Sequence, residues 1–387
     1  MRPSSAVTAL LAATALLFTA GCSSTPAGAP GGESSTSRSP GTKPSASASS
    51  SAPLAPAKGS VKVDRTLTEG LDSPWGLAAL PDGDLLVSSR DSGKIFRVSA
   101  ESGKKTELGS VPGVSAGGEG GLLGIAVPPS YGVDHMIYAY FTTESDNRIA
   151  RLVYNEDKPA GGQLGAPDTV FRGIPKGVTH NGGRIAFGPD KMLYVGTGES
   201  GERGLAQDKE SLGGKILRMT PDGEPVHGNP EADSVVYSYG HRNVQGLAWD
   251  AEKRLWASEF GQDTWDELNL IRPGRNYGWP EAEGKSKQSG TTDPVAQWKT
   301  SEASPSGIAF AKGSIWMASL RGERLWRIPM DGTRPLAEPQ AFLTGDYGRL
   351  RTVLADGSGG LWLVTSETDG RGSPGKKDDR ILHLKVS

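Results

Sequence analysis

One short pattern of hydrophobic residues occurs six times along the chain, and this repeat constrains the fold more than any other feature. Each copy has an apolar run such as residues 75–80, a polar turn, and a second run such as residues 85–87. The copies begin near Trp75, Gly124, Gly183, Gly246, Gly307 and Thr352. Most copies close with a third stretch, such as residues 94–98, in which apolar and polar residues alternate. Alternation with a period of two indicates antiparallel β-strands.

The spacing of the copies predicts an all-β fold, a six-bladed β-propeller of four-stranded antiparallel blades. The copies lie roughly 45 to 60 residues apart, and two of them contain Pro-Asp-Gly turns, as propeller blades do. Each small sheet must bury both faces against its neighbours, so we expect the repeated Trp and Tyr residues to pack between blades. We expect residues 61–63 to close the ring as an outer strand of the last blade.

The first 58 residues differ in composition from the rest. Residues 1–21 combine Arg2 with an apolar run and end directly before Cys22, the one cysteine of the sequence, which is typical of a lipoprotein signal peptide. We expect export, acylation of Cys22 and anchoring to the outer face of the cell membrane; an ordinary signal peptide with an incidental cysteine is the alternative. Residues 22–58, rich in Ser, Pro, Ala and Gly, are predicted to be a disordered linker, and residues 59–387 to be the propeller domain.

The charge balance of the chain excludes one class of partner. The sequence has 42 Lys and Arg against 44 Asp and Glu, a formal net charge of −2. Because phosphate binding needs a concentrated basic face, we expect no nucleic-acid partner.

Polar residues precede several of the first strands of the repeat. They are Glu119, His180, residues 241–243, Arg349 and Arg351. In a propeller these turns meet at one end of the central channel, so we expect a site rich in cations and amides there. His180 is a candidate general base, because an imidazole with an ordinary pKa near about 6.5 accepts a hydroxyl proton at neutral pH. A hydrogen-bonding structural histidine is the other interpretation.

Three blocks of sequence resemble a known family. They are Gly-His-Arg-Asn with Gln-Gly-Leu-Ala-Trp at 240–249, Ser-Glu-Phe-Gly-x-Asp-x-Trp-Asp-Glu-Leu-Asn at 258–269, and Asn-Tyr-Gly-Trp-Pro at 276–280. With them, residues from about 64 to 385 resemble the quinoprotein sugar dehydrogenases, the soluble glucose and sorbosone dehydrogenase family. The resemblance implies a six-bladed propeller that binds pyrroloquinoline quinone (PQQ) and Ca²⁺. It also implies oxidation of a sugar or polyol hydroxyl, of the aldose-to-lactone type, by hydride transfer to the quinone, from which electrons pass to a respiratory carrier or quinone.

The resemblance assigns catalytic roles to three residues. His180 lies in a segment, 179–190, that matches the one carrying the catalytic histidine of the family, and is expected to remove the hydroxyl proton. Glu199 replaces the aspartate that orients this histidine. Arg242 and Asn243 match an Arg-Asn pair that faces the quinone carbonyls, where a guanidinium stabilises the oxyanion formed on hydride transfer.

The resemblance also implies a set of cofactor-binding cations. Arg321 matches a lysine that binds the cofactor, and Arg349 and Arg351 match two arginines. PQQ carries three carboxylates, so several cations around one channel mouth are needed to hold it without a covalent bond. Glu119 stands where the glucose enzymes have a glutamine against the cofactor. A carboxylate at this place repels the quinone unless it is protonated or paired with an arginine.

A calcium site is implied next to these cations. Gly261 and Gln262 match a Gly-Pro pair whose backbone carbonyls bind the cofactor-side calcium of the family, and oxygen ligands suit Ca²⁺. Asp266 and Glu267 match a carboxylate pair that helps to bind further calcium. Phe260, directly before them, stands where some members have a polar glutamine.

Two other functions are compatible with a propeller channel. A lactonase-like hydrolase would hold calcium directly with side-chain carboxylates and amides, and would not need Arg321, Arg349 and Arg351. A ligand-binding propeller without chemistry would suit Glu119 in place of an amide.

Overall fold

Six separate antiparallel sheets make up residues 55–387, the part of the chain that the computed structural model describes. They confirm the predicted six-bladed propeller. The signal peptide predicted at 1–21, the lipidation site predicted at Cys22 and most of the linker predicted at 22–58 lie outside the described residues. At the start of the described part, the Pro56 carbonyl accepts a hydrogen bond of 2.7 Å from Arg327 Nη2 of the fifth blade.

The strands follow the repeat of the sequence and are numbered in chain order. The first three sheets contain β1 Val61–Thr68 (which joins the last sheet), β2 Pro74–Ala79, β3 Leu85–Ser89, β4 Lys94–Val98, β5 Lys105–Ser110, β6 Leu122–Ala126, β7 Met136–Thr142, β8 Asn147–Val153, β9 Asp168–Ile174, β10 Ile185–Phe187, β11 Leu193–Gly196, β12 Lys215–Met219 and β13 Val236–Tyr239. The remaining strands are β14 Val244–Trp249, β15 Leu255–Glu259, β16 Trp265–Ile271, β17 Ala296–Lys299, β18 Pro305–Ala311, β19 Ser314–Ser319, β20 Arg324–Asp331, β21 Arg334–Pro335, β22 Gln340–Phe342, β23 Leu350–Ala355, β24 Leu361–Thr365 and β25 Ile381–Val386. One helical turn, α1 Tyr131–Asp134, and a 3-10 turn, Arg203–Ala206, interrupt them.

The ring of blades closes through the N-terminal strand. The inner strands β2, β6, β10, β14, β18 and β23 each contact the next, and β23 contacts β2. The sixth blade has the order β1-β25-β24-β23, with Val63 opposite Leu384, as the sequence predicts. Pairing the two ends of the chain in one sheet covers the outer edge of β25.

The fifth blade departs from the four-stranded pattern. Its outer strand is split, because β21 pairs with the end of β20 while β22 pairs with the start of β20. Pro335 and Pro339 lie in this segment, and proline has no N–H to donate to a continuous ladder. The interruption follows from these two residues.

Hydrophobic side chains fill the spaces between neighbouring blades. Trp256 of the fourth blade belongs to one buried cluster with Met317 of the fifth, and Trp316 of the fifth belongs to another with Leu363 of the sixth. Both tryptophans are fully buried, which agrees with the predicted packing role of the repeated aromatic residues. Within residues 55–387, no helix has the length and apolar character to cross a membrane.

Candidate active site

Loops from all six blades surround one cup at an end of the channel, with a cavity of about 280 Å³. Most of the predicted site residues line it: Glu119, His180, Arg242, Asn243, Gly261, Gln262, Asp266, Arg321, Arg349 and Arg351. Phe260 lines it as well. Glu199 does not line the cup but contacts His180, and Glu267 contacts the Gly284 backbone outside the cup. Ten of the twelve predicted residues in the described chain therefore line the cup.

His180 is held in one orientation at the wall of the cup. Its Nδ1 lies 2.6 Å from Oε1 of Glu199, which is buried, and its backbone adopts φ 56°, in the left-handed region. With Glu199 Oε1 accepting the Nδ1 proton, Nε2 is the nitrogen with a lone pair. No side chain of the described residues hydrogen-bonds Nε2 of His180. The imidazole is therefore arranged to accept a proton on its cup side.

Glu119 is paired rather than isolated. Its Oε2 accepts the backbone N–H of His180 at 2.9 Å, and its Oε1 lies 2.8 Å from Arg371 Nη2. Arg371 comes from the long loop between β24 and β25 of the sixth blade, whereas Glu119 precedes β6 of the second blade. This ion pair offsets the repulsion that a bare carboxylate would exert on an anionic ligand.

Arg242 enters the cup without a carboxylate partner in the described part of the chain. Its Nη1 makes only a long hydrogen bond of 3.4 Å to the Phe260 carbonyl, and its buried Nε has no partner among residues 55–387. Burial lowers the pKa of Arg242, although nearby Glu199 and Glu119 oppose the shift. Asn243 has a different task, because its Oδ1 accepts the Gly182 N–H at 2.9 Å and so ties the His180 loop to the fourth blade.

Two arginines share one carboxylate on the sixth blade. Arg349 Nη2 and Arg351 Nη2 lie 2.9 and 3.0 Å from Oδ2 of Asp369. Burial lowers the pKa of Arg351 to about 10, so its guanidinium remains charged at neutral pH. Burial would raise the pKa of Asp369, but Arg351 and Arg349 outweigh it and lower that pKa. The cluster keeps an excess positive charge, and Arg321 adds an exposed one at the rim.

A buried cation lies against Trp75, an aromatic residue that lines the cup. The Arg184 guanidinium lies 4.4 Å from the centre of the Trp75 ring, and that of Arg351 lies 5.9 Å from it. Arg184 donates to the Gln245 carbonyl and to Thr352 Oγ1 but forms no ion pair with any described residue. Burial lowers its pKa to about 9. An uncompensated buried cation here favours an anion above it.

The predicted metal-binding residues fall into two places. Gly261, Gln262 and Asp266 line the cup, and Asp266 Oδ1 accepts the Gly261 N–H at 2.9 Å. Glu267 follows Asp266 on β16, so its side chain points to the opposite face of the strand. There it accepts the Gly284 N–H at 2.6 Å, and burial together with Glu259 raises its pKa to about 8. The carboxylates of Asp266 and Glu267 are thus not brought together.

A metal in the cup would depend on backbone oxygens. Nowhere in residues 55–387 do three or more His, Cys, Asp or Glu side chains group so as to hold a metal ion. Burial raises the pKa of Asp266 to about 6, and its carboxylate already accepts the N–H groups of Gly261 and Ser304. The carbonyls of Gly261 and Gln262 are the remaining hard oxygen donors that the sequence predicts.

Several residues of the cup were not among the predicted set. They include Trp75, Arg90, Gln245, Asp369 and Arg371, and Arg184 packs against Trp75. Asp369 and Arg371 lie on the loop after β24, whereas the prediction considered mainly the turns before inner strands. One residue could have led to Arg371: the carboxylate of Glu119 needs an arginine partner if the cup is to bind an anion.

The chain is similar to known proteins over nearly its whole described length. Residues 71–374 match the family model described as Glucose / Sorbosone dehydrogenase. The aldose sugar dehydrogenase YliI of Escherichia coli (strain K12) is 32% identical over 348 residues, which cover 82% of this chain and 92% of the relative. Quinoprotein glucose dehydrogenase B of Acinetobacter calcoaceticus is 32% identical over 260 residues, 58% of this chain and 54% of the relative.

A solved structure is similar in both sequence and fold. It is the PQQ-bound form of the aldose sugar dehydrogenase of Streptomyces coelicolor, 74% identical to this chain, with a TM-score of 0.85. The match covers 86% of this chain and all of that one. The similarity therefore includes every blade that contributes to the cup.

Proposed function

The chain belongs to the glucose / sorbosone dehydrogenase family, and we propose that it oxidises an aldose sugar with PQQ as hydride acceptor. One observation carries the proposal: a histidine whose Nδ1 is fixed by a buried glutamate shares a cup with arginines of several blades. A PQQ-bound relative that is 74% identical supports the identity of the cofactor.

The charges of the cup fit an anion with three carboxylates. Arg184, Arg242 and Arg321 form no ion pair within the described chain, whereas Arg349, Arg351 and Arg371 do. The buried Nε of Arg242 also lacks a hydrogen-bond partner there. Because buried, unpaired donors are costly, a polyanionic ligand that accepts these hydrogen bonds is favoured.

We assign the cofactor contacts accordingly. Arg242, Arg321, Arg349 and Arg351 would hold the carboxylates and carbonyls of PQQ, and the carbonyls of Gly261 and Gln262 would hold Ca²⁺. When bound, the quinone supplies a two-electron acceptor for hydride, and the calcium acts as a Lewis acid.

Residues of the chain would accept the proton of the sugar hydroxyl and stabilise the negative charge that develops during the reaction. His180 Nε2 takes the proton of the sugar hydroxyl as the carbon–hydrogen bond breaks and hydride leaves. Glu199 holds the imidazole in the required tautomer and stabilises the imidazolium that forms. Arg242 places a positive charge where negative charge develops. The aldose loses a hydride and a proton and becomes a lactone.

Reconstitution tests the proposed function. The purified full chain should reduce an electron-accepting dye when PQQ, Ca²⁺ and an aldose are added, and His180→Ala should lose about 10² to 10⁴ in kcat, as general bases do. The same preparations should not hydrolyse lactones without added quinone, which separates the dehydrogenase from a lactonase-like hydrolase. Absence of both dye reduction and PQQ binding would overturn the proposal.

We also propose that the protein is exported and held at the outer face of the membrane by a lipid on Cys22. The N-terminal sequence supports this, because an apolar run ends in small residues directly before that cysteine. Cys22→Ser should move the protein from the membrane fraction to the medium. Unchanged membrane association would contradict the lipid anchor.

A further inference from the structure

The loop that follows β15 has an unusual arrangement of backbone N–H groups. The amides of four successive residues, Gln262 to Trp265, all donate to Oε1 of Glu283, at 2.8, 3.1, 2.9 and 3.0 Å. The preceding amide, that of Gly261, donates to Asp266. Successive N–H groups that converge in this way form a nest for an anion, and here the anion is a side chain of the same protein. A Cβ on Gly261 would collide with the Trp265 carbonyl, so the tight turn requires glycine.

This arrangement determines where two carbonyls point. The peptide bonds of residues 261–263 are trans, since the cis bonds of the described chain are Trp279-Pro280 and Asp378-Asp379. In a trans peptide, the carbonyl of one residue is antiparallel to the N–H of the next. Because the amides of Gln262 and Asp263 point at Glu283, the carbonyls of Gly261 and Gln262 point away from it. Gly261 and Gln262 line the cup, whereas Glu283 does not.

We propose that Glu283 is the positioning residue that holds the carbonyls of Gly261 and Gln262 toward the calcium of the cup. This inference rests on the proposed function. The negative charge of Glu283 at the N–H ends of these peptides also adds to the negative potential at their oxygens, which strengthens them as ligands of a hard cation. Glu283 does not line the cup, so its role is exerted through the backbone of the loop.

A charge-matched pair of variants isolates this role. Glu283→Gln and Glu281→Gln each remove one negative charge from the same segment, and Glu281 is exposed and makes no hydrogen bond through its side chain within residues 55–387. Calorimetric titration of the full chain with CaCl₂, in the presence of PQQ, measures calcium affinity directly. Hydrogen exchange at the amides of residues 262–265 reports the state of the loop independently of the metal.

We expect Glu283→Gln to weaken calcium binding by about tenfold and Glu281→Gln to leave it unchanged, because outer-shell partners of metal ligands typically contribute 10- to 100-fold in affinity. Glu283→Ala should weaken it further and speed amide exchange in the loop. Raising the calcium concentration should restore kcat in Glu283→Gln, which a loss of folding would not allow. If Glu283→Ala fails to fold, Glu283→Gln decides.

Two results would count against the inference in distinguishable ways. Wild-type calcium affinity in Glu283→Gln, with normal binding by the unmodified chain, would overturn the positioning role alone. Failure of the unmodified chain to bind either calcium or PQQ would overturn the proposed function and, with it, the role of Glu283.

Discussion

Replacing Glu199 by Gln removes the charge that supports His180 while keeping the shape of the side chain. His180 Nδ1 and Glu199 Oε1 are 2.6 Å apart, and Glu199 is buried, so little water screens the interaction between the two side chains. An imidazolium and a carboxylate whose charge centres lie about 4 Å apart attract each other by about 4 kcal/mol at an effective dielectric constant of about 20. Since each 1.36 kcal/mol is tenfold in rate, the loss of this attraction corresponds to a fall in kcat of about 10² to 10³.

Steady-state dye reduction with saturating PQQ, calcium and aldose measures this effect. Glu202→Gln is the matched control, because Glu202 lies in the same loop, is exposed, and makes no hydrogen bond through its side chain within residues 55–387. Glu199→Asp keeps the charge but shortens the side chain by one methylene, so an intermediate kcat is expected. A kcat for Glu199→Gln within about threefold of the wild type would contradict this role of Glu199, because the carboxylate would then not support the proton transfer.

Three further perturbations probe the rim of the cup, the sixth blade and the core. Arg371→Ala should weaken PQQ binding by less than about tenfold in calorimetry, because the ion pair with Glu119 is partly exposed. The double variant that also carries Glu119→Gln should regain the lost PQQ affinity. If it does not, the proposed effect of the ion pair is wrong. Burial would raise the pKa of Asp356, but hydrogen bonds, the strongest of them from His383, lower this pKa to about 2. The ionised carboxylate therefore stabilises the folded state above about pH 4, and this contribution is lost as the pH falls toward 2. Asp356→Asn should therefore lower the free energy of unfolding at pH 7 by up to about 2 kcal/mol and flatten its decline between pH 4 and 2 in denaturant titrations. Trp316→Ala should cost about 3 to 5 kcal/mol of unfolding free energy in urea, since the side chain is fully buried between blades; a cost below about 1 kcal/mol would contradict that packing.

The architecture could be predicted because each strand carries its own local signal. Alternation, turn residues and a regular spacing are properties of neighbouring residues, and even the pairing of residues 61–63 with the last blade followed from the need to close a ring. The split outer strand of the fifth blade was missed, although Pro335 and Pro339 mark it. Each proline removes one backbone hydrogen bond between strands, and a comparison of sequence repeats does not detect a change of this kind.

The site was predictable only in part, for a different reason. His180, Arg242 and the arginines of the sixth blade lie in turns before inner strands or in segments that resemble the family. The Glu119–Arg371 pair joins positions 252 residues apart, and the capping of four amides by Glu283 joins two loops. Such contacts depend on how blades meet in space, so no local pattern reveals them.

Arginines of separate blades are expected to bind an anionic quinone in one cup, and titration of the full chain with PQQ in the presence of Ca²⁺ tests this claim. Arg242→Met is the informative variant, because Arg242 forms no ion pair within residues 55–387 and its removal leaves no carboxylate unpaired there. Arg172→Met, at an exposed position, matches the change in charge. We predict saturable one-to-one binding that Arg242→Met weakens by at least about tenfold, as expected for a charge-assisted hydrogen bond, and that Arg172→Met leaves unchanged. Equal affinity in all three proteins, or no binding by the unmodified chain, would contradict the claim.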